Sequence, residues 1–175
     1  MDEDIFEKVR AHPHFAFWHN GLLPDPTIDL PSPVFVLQVE WNIFPEDGPF
    51  FSPNGYGDGS GRQTQVVAMR RCGWAVVAAE MNEDGIINRH SEAYGTLPSR
   101  HQNVHAAELF AFLFYLRHAT SDHGYYVFYS DCAFVVDGFH AGRWANTHGW
   151  AVDADLWKAV FDKVEDLGEE TVRVF

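Results

Sequence analysis

Between Val104 and His118 the chain runs for fifteen residues without a glycine or proline. Ala106, Ala107, Leu109, Phe110, Ala111, Leu113, Phe114 and Leu116 fall on most sides of the helix that this stretch predicts. A helix apolar on most of its circumference cannot lie on a surface. It has to be covered on several sides, so the rest of the chain must supply a sheet and further helices around it. One acid, Glu108, stands inside this run. A carboxylate there costs free energy unless it is paired or bound to a cation.

The covering elements are legible on either side. Gly73-Trp74-Ala75-Val76-Val77-Ala78-Ala79 reads as a buried strand, Asn82-Glu83-Asp84-Gly85 as a turn and Ile86–Tyr94 as the returning strand of a hairpin. Tyr125–Tyr129 reads as a second buried strand. Cys132–His140 reads as a short helix closed by Gly142, and Asp155–Leu167 as an amphipathic helix stopped by Gly168. Thr171–Phe175 reads as a last strand. Hairpin, helix, strand, two helices and strand make an α/β domain with a mixed central sheet and flanking helices.

Residues 1–49 differ in kind. Pro13, Pro24, Pro26, Pro31, Pro33 and Pro45 break regular structure there. A helix at Asp4–Ala11 and a strand at Val34–Val39 are expected, with Phe15, Phe17, Trp18 and Trp41 packing on something. The stretch reads as an acidic, proline-rich N-terminal arm, and residues 50–175 as the domain. Over the whole chain 25 acids face 12 basic residues, a formal charge of -13. That balance argues against a protein that coats nucleic acid through a broad basic face. It leaves open an enzyme that meets nucleic acid through metal ions. Two cysteines, Cys72 and Cys132, cannot form a disulfide framework and read as reduced thiols. The acidic N-terminus has no signal-peptide pattern, and no apolar run approaches the ~20 residues that span a bilayer. An intracellular chain, nuclear or cytoplasmic and without a membrane partner, is expected.

Three acids sit where acids are unusual. Asp58 lies among glycines, Glu108 in the most apolar helix, and Asp131 at the end of the most apolar strand. Each has an ordinary reading: a turn residue for Asp58, a cap or narrow polar stripe for Glu108, an N-cap for Asp131. Together they suggest carboxylates gathered from distant elements. Such clusters need a cation, and hard oxygen ligands favour Mg²⁺ or Mn²⁺ over zinc. Two such ions about 4 Å apart activate a water and stabilise a leaving oxygen in attack on a phosphodiester.

The words around these acids resemble a known family, the type 1 ribonuclease H domain, above all its retrotransposon form. Tyr56-Gly57-Asp58-Gly59-Ser60-Gly61 is similar to the family's strand-end Asp-Gly-Ser. Cys72-Gly73-Trp74-Ala75-Val76-Val77 looks like its second strand. Gln102-Asn103-Val104-His105-Ala106-Ala107-Glu108-Leu109 resembles the opening of its central helix. Tyr129-Ser130-Asp131-Cys132, with Val135-Val136-Asp137-Gly138, resembles its Thr/Ser-Asp-Ser and the helix behind it. The motifs come in order over about residues 49–175, with Asp58 and Glu108 separated by 50 residues and Glu108 and Asp131 by 23. The resemblance implies a ribonuclease H-like fold in which Asp58, Glu108 and Asp131 hold Mg²⁺ or Mn²⁺ and catalyse hydrolysis of the RNA strand of an RNA–DNA hybrid. It implies weaker substrate contacts from Ser60, Gln102 and His105.

The sequence also departs from the family pattern. The family has a fourth carboxylate on a helix after the last strand, and this chain stops at Phe175. The expectation is a domain lacking its last helix, completed by another segment or polypeptide, with weak or lost hydrolysis. A second possibility is an inert binding or scaffold module that keeps the fold, and a third is another metal-dependent nuclease of the same superfold. His101 with His105 as a zinc pair lacks a third soft ligand. His12 and His14 read as loop residues. Arg70 and Arg71 are candidates for phosphate contact, and Cys132 reads as a small buried residue.

Overall fold

A computed structural model describes residues 37–44, 54–62, 70–99, 102–120 and 124–175. All of them belong to a compact unit spanning Val34–Phe175. The predicted helix at Asp4–Ala11, the aromatic residues Phe15, Phe17 and Trp18, and His12, His14 and His101 lie outside the described residues.

In chain order the elements are β1 (Val39–Ile43), β2 (Asn54–Arg62), β3 (Arg71–Met81), β4 (Ile87–Thr96), α1 (Val104–His118), β5 (Tyr126–Tyr129), α2 (Ala133–Thr147), α3 (Ala154–Leu167) and β6 (Val172–Val174). A single 3-10 turn, Glu169–Thr171, leads into β6. The described strands form one sheet in the order β1-β4-β3-β2-β5-β6. β1 with β4, β4 with β3 and β3 with β2 pair antiparallel, whereas β2 with β5 and β5 with β6 are parallel. The fold is therefore α/β with a mixed sheet, as the order of elements predicts.

The helix α1 carries the core. Its N-cap is Asn103, whose side chain accepts from the Ala106 N–H at 2.7 Å, and Arg117 and His118 lie in its last turn, where the helix dipole favours cations. Ala106 to Leu116 are all buried. β2 and β3 cover α1 on one side and α3 and α2 on others. Trp74 packs on Phe110 and Phe114, and Phe128 on Phe112 and Tyr115.

Two boundaries differ from expectation, each for a local reason. The first strand is Val39–Ile43, where Glu40 and Trp41 pair with Tyr94 and Ala93, so the described strand lies later than Val34–Val39. It extends the sheet into the stretch that composition assigns to the arm. α2 breaks at Gly142, as the sequence predicts: the backbone leaves helical geometry there (φ 83°), and a second short helical segment follows to Thr147. Asn146 makes this possible: its amide donates to the Gly138 and Gly142 carbonyls at 2.6 and 2.9 Å, satisfying acceptors that the break exposes. β2 differs in length: it runs on past Asp58, where the resemblance places a strand end.

Gly55, Gly57, Gly59 and Gly61 alternate along β2, and composition alone makes such a stretch a loop. Packing makes it a strand. A Cβ built on Gly55 stands 2.4 Å from the Tyr115 ring, on Gly57 2.2 Å from Phe128, and on Gly59 2.5 Å from the Glu108 backbone nitrogen. Every second residue of β2 has to lack a side chain so that the filled surface of α1 can lie flush against the strand.

Candidate metal centre

The register brings two acids to one level. Tyr56 of β2 is opposite Tyr129 of the parallel strand β5. Asp58 and Asp131 each stand two residues further along, so both emerge just past the end of β5. Ser130 fixes the second: its N–H donates to the Phe175 carbonyl at 2.9 Å, and its Oγ accepts from the Cys132 N–H at 3.2 Å. The N-cap of α2 is Cys132, so Asp131 is not spent on capping. Asp58 lies inside a nine-residue strand and not in a turn.

The third acid comes from α1. Because Gly59 lets the helix touch the strand, Glu108 in the second turn of α1 arrives at the level of Asp58. One oxygen from each of Asp58, Glu108 and Asp131 lies within 4.8 Å of the others. Asp58 and Asp131 are exposed and Glu108 is 5 % exposed. The cluster thus has a dry base and an open mouth.

Its electrostatics follow. Burial lifts the Glu108 carboxyl to about pH 7, and the charges of Asp58 and Asp131 add to the lift, while the Gly59 N–H donating to it pulls the other way. The Glu108 Oε2 is buried and has no hydrogen-bond partner. A buried carboxylate with an unpartnered oxygen, clustered with two further carboxylates, is a site in need of a cation. The donors are all carboxylate oxygens, which fits Mg²⁺ or Mn²⁺ by chemistry.

The lesser candidates separate. Ser60 is exposed on β2, two residues past Asp58. His105 is exposed on the first turn of α1, stacked on Phe134 with ring centroids 5.0 Å apart. Gln102 is 7 % exposed and fully engaged. Its Oε1 accepts from the Cys72 N–H at 2.8 Å, and its Nε2 donates to the Leu97 carbonyl at 3.0 Å and to the Ser99 carbonyl. It ties the start of β3 to the loop before α1. Burial pushes the Cys132 thiol up from its ordinary value, which disfavours a thiolate nucleophile.

Solved structures share this architecture. The crystal structure of LC9-RNase H1, described as a type 1 RNase H with the type 2 active-site motif, aligns with a TM-score of 0.51 at 19% identity over 74% of this chain. The Prototype Foamy Virus protease-reverse transcriptase aligns with a TM-score of 0.52 at 16% identity over 70% of the chain. This chain has the ribonuclease H-like fold. The solution structure of the PFV RNase H domain agrees, with a TM-score of 0.50 and 14% identity over 69% of this chain and 75% of that domain. The ribonuclease H-like chain spans 64% of the length of LC9-RNase H1 and 17% of the viral protease-reverse transcriptase. No family model and no curated protein matches its sequence. Among the described residues no helix is long and apolar enough to cross a membrane.

Proposed function

We propose that this chain is a divalent-metal-dependent nuclease of ribonuclease H type, acting on the RNA strand of RNA–DNA hybrids, with the unit Val34–Phe175, which includes β1, as the nuclease domain. The observation that carries this reading is the convergence of Asp58, Glu108 and Asp131, with Glu108 buried and its Oε2 unpartnered. These residues would hold Mg²⁺ or Mn²⁺. Such an ion, when bound, lowers the pKa of a water and polarises a phosphodiester.

The chain's own residues supply placement. Glu108 anchors the site from its buried side, held by the Gly59 N–H. Asp58, exposed on β2, and Asp131, exposed just past the end of the parallel strand β5, form the open rim from which a phosphate is approached. His105, steadied on Phe134, and Ser60 flank this rim on α1 and β2 and are the proposed substrate contacts. Gln102 supports the site by fixing the loop that starts α1. Among the described residues no fourth acid joins the cluster. With one ligand fewer for a second ion, turnover is expected to be weak.

A labelled RNA–DNA hybrid incubated with Mg²⁺ or Mn²⁺ tests this. Slow, metal-dependent cleavage of the RNA strand is expected, and Asp58→Asn abolishes it. Mg²⁺ is also expected to raise the melting temperature of the wild type and not of Asp58→Asn. Absence of any metal effect on melting would favour the inert binding module, to which the charge of -13 gives independent support.

A further inference from the structure

Two adjacent arginines stand where β2 ends and β3 begins. Arg70 directly precedes β3 and Arg71 opens it, and the register sets Arg71 opposite Arg62 of β2. Strands avoid such a rung, because like charges directly opposite each other repel. Most other described bases stand singly beside acids. Arg89 pairs with Glu92, Arg143 with Asp162 and Glu165, Lys158 with Asp162, and Lys163 with Asp166. In a chain of 25 acids and 12 bases, consecutive arginines facing a third are a local reversal of charge. Such a reversal suits an anion.

Position ties the pair to the carboxylates. Asp58, Ser60 and Arg62 alternate along β2, and their partners on β3 are Ala75, Gly73 and Arg71. Alternate residues lie on one face, so the acid, the hydroxyl and the arginine rung follow at steps of about 7 Å, the scale of one nucleotide along a strand. Ser60 and Arg71 are exposed, and Gly73 beside Ser60 leaves its hydroxyl uncovered: a Cβ there would stand 3.5 Å from Ser60 Oγ. Buried Gln102 fixes the spacing. Through the Cys72 N–H it ties the residue after Arg71 to the loop that opens α1, the helix of Glu108. Arg71 Nη1 donates to the Arg70 carbonyl at 2.7 Å, which keeps its guanidinium at the strand end. Burial raises the Cys72 thiol and the Arg70 charge pulls it back, so Arg70 lies near Cys72, beside the start of α1. The pair is remote from the end of β6. β2 pairs with β5 only over Asn54–Tyr56, and the Arg62–Arg71 rung is six residues, about 20 Å, further along.

We infer that Arg70 and Arg71 form a phosphate grip for the nucleic acid strand engaged at the carboxylate cluster, about two nucleotides from the scissile phosphate. The inference rests on the nuclease reading for its choice of nucleic acid as the ligand. It adds where that strand is held and by which groups. Guanidinium groups meet phosphate oxygens in a bidentate fork, and each phosphate neutralised releases counterions. Such contacts position a strand and carry no sequence information. The arginines therefore set the register of the strand, and the carboxylate cluster sets the place of reaction.

Binding of a fluorescently labelled RNA–DNA hybrid to the full chain in Mg²⁺, followed by anisotropy over a range of salt, tests it. In the double variant Arg70→Gln, Arg71→Gln the slope of log affinity against log salt is expected to fall by about one unit per arginine. The variant then binds more weakly than the wild type at low salt and about equally at high salt. Hybrids of unrelated sequence lose affinity alike. Arg70→Lys with Arg71→Lys keeps the charge and keeps the slope. Arg89→Gln, which removes an exposed arginine paired with Glu92, leaves the slope unchanged. Retention of the Mg²⁺-induced rise in melting temperature shows that the glutamine variant folds and keeps the cluster. Asp58→Asn removes that rise and leaves the effect of the arginine substitutions on the slope in place, so the two readings fail separately. An unchanged slope in the double variant, an equal fall in Arg89→Gln, or no binding by the wild type would overturn the inference. Loss confined to one hybrid sequence would overturn it too, by making the pair a base contact.

Discussion

At the scale of single residues, Glu108 and Gln102 show how burial assigns roles. Glu108 has its carboxyl raised from an ordinary 4.5 to about 7 in the folded chain, first by burial and then by its acidic neighbours. A carboxyl with a raised folded pKa binds its proton more tightly in the folded than in the unfolded state. Without metal, stability is therefore expected to be greatest below about pH 4.5 for this group and to fall as pH rises to about 7, by an order of 3 kcal/mol. Urea unfolding across that range checks it, and Glu108→Gln should flatten the profile. Mg²⁺ competes with the proton, so its stabilisation should be larger at pH 8 than at pH 5.5. Gln102 lies beside the site in sequence but serves the fold. Gln102→Ala leaves the buried Cys72 N–H without its acceptor and should cost about 1–3 kcal/mol in urea unfolding. Only the fold distinguishes this from a substrate contact, because a glutamine before a helix carries the same letters in either role.

At the scale of elements, α1 was legible almost to its ends. An apolar run with no helix breaker and Asn103 before it leaves little choice. The β3–β4 hairpin was equally open to reading, because Asn82–Gly85 is a strong turn signal: the Ile86 N–H donates to Asn82 Oδ1 at 2.7 Å. β2 was legible only through the resemblance that places a strand end at Asp58 and not from composition, since four glycines in nine residues have low strand propensity and the cause of the strand is the helix surface opposite. The break of α2 at Gly142 was legible; the short helical segment after it was not, because it depends on Asn146 reaching back to two carbonyls. The β2–α1 contact makes a sharp expectation. In Gly59→Ala the new Cβ meets backbone of Ala107 and Glu108, which cannot rotate aside. The variant should lose about 1–3 kcal/mol by overpacking, more if α1 cannot shift. It should also show a smaller Mg²⁺-induced rise in melting temperature, since Glu108 moves away from Asp58.

At the scale of the whole molecule, the charge divides. Residues 1–50 hold nine acids and two bases, and the remainder holds sixteen acids and ten bases. The sheet-bearing part is thus the less acidic per residue, and three of its acids form the cluster that calls for cations. Hybrid binding should accordingly depend on divalent metal more than on counterion release. The plot of log affinity against log salt should be shallow, with a slope equivalent to about one or two phosphates. Chelation should abolish binding at physiological salt. A steep slope that persists in chelator would point to a basic surface outside the described residues.

The alternating glycines of β2 have a consequence in time as well as in space. A strand that is nearly half glycine loses more backbone freedom on ordering than most, and brings little side-chain surface of its own to offset it. It is therefore expected to order late, against α1 once that helix is packed. On that expectation the cation site forms only when β2 is in place, so in stopped-flow measurements Mg²⁺ should slow unfolding and leave the refolding rate unchanged.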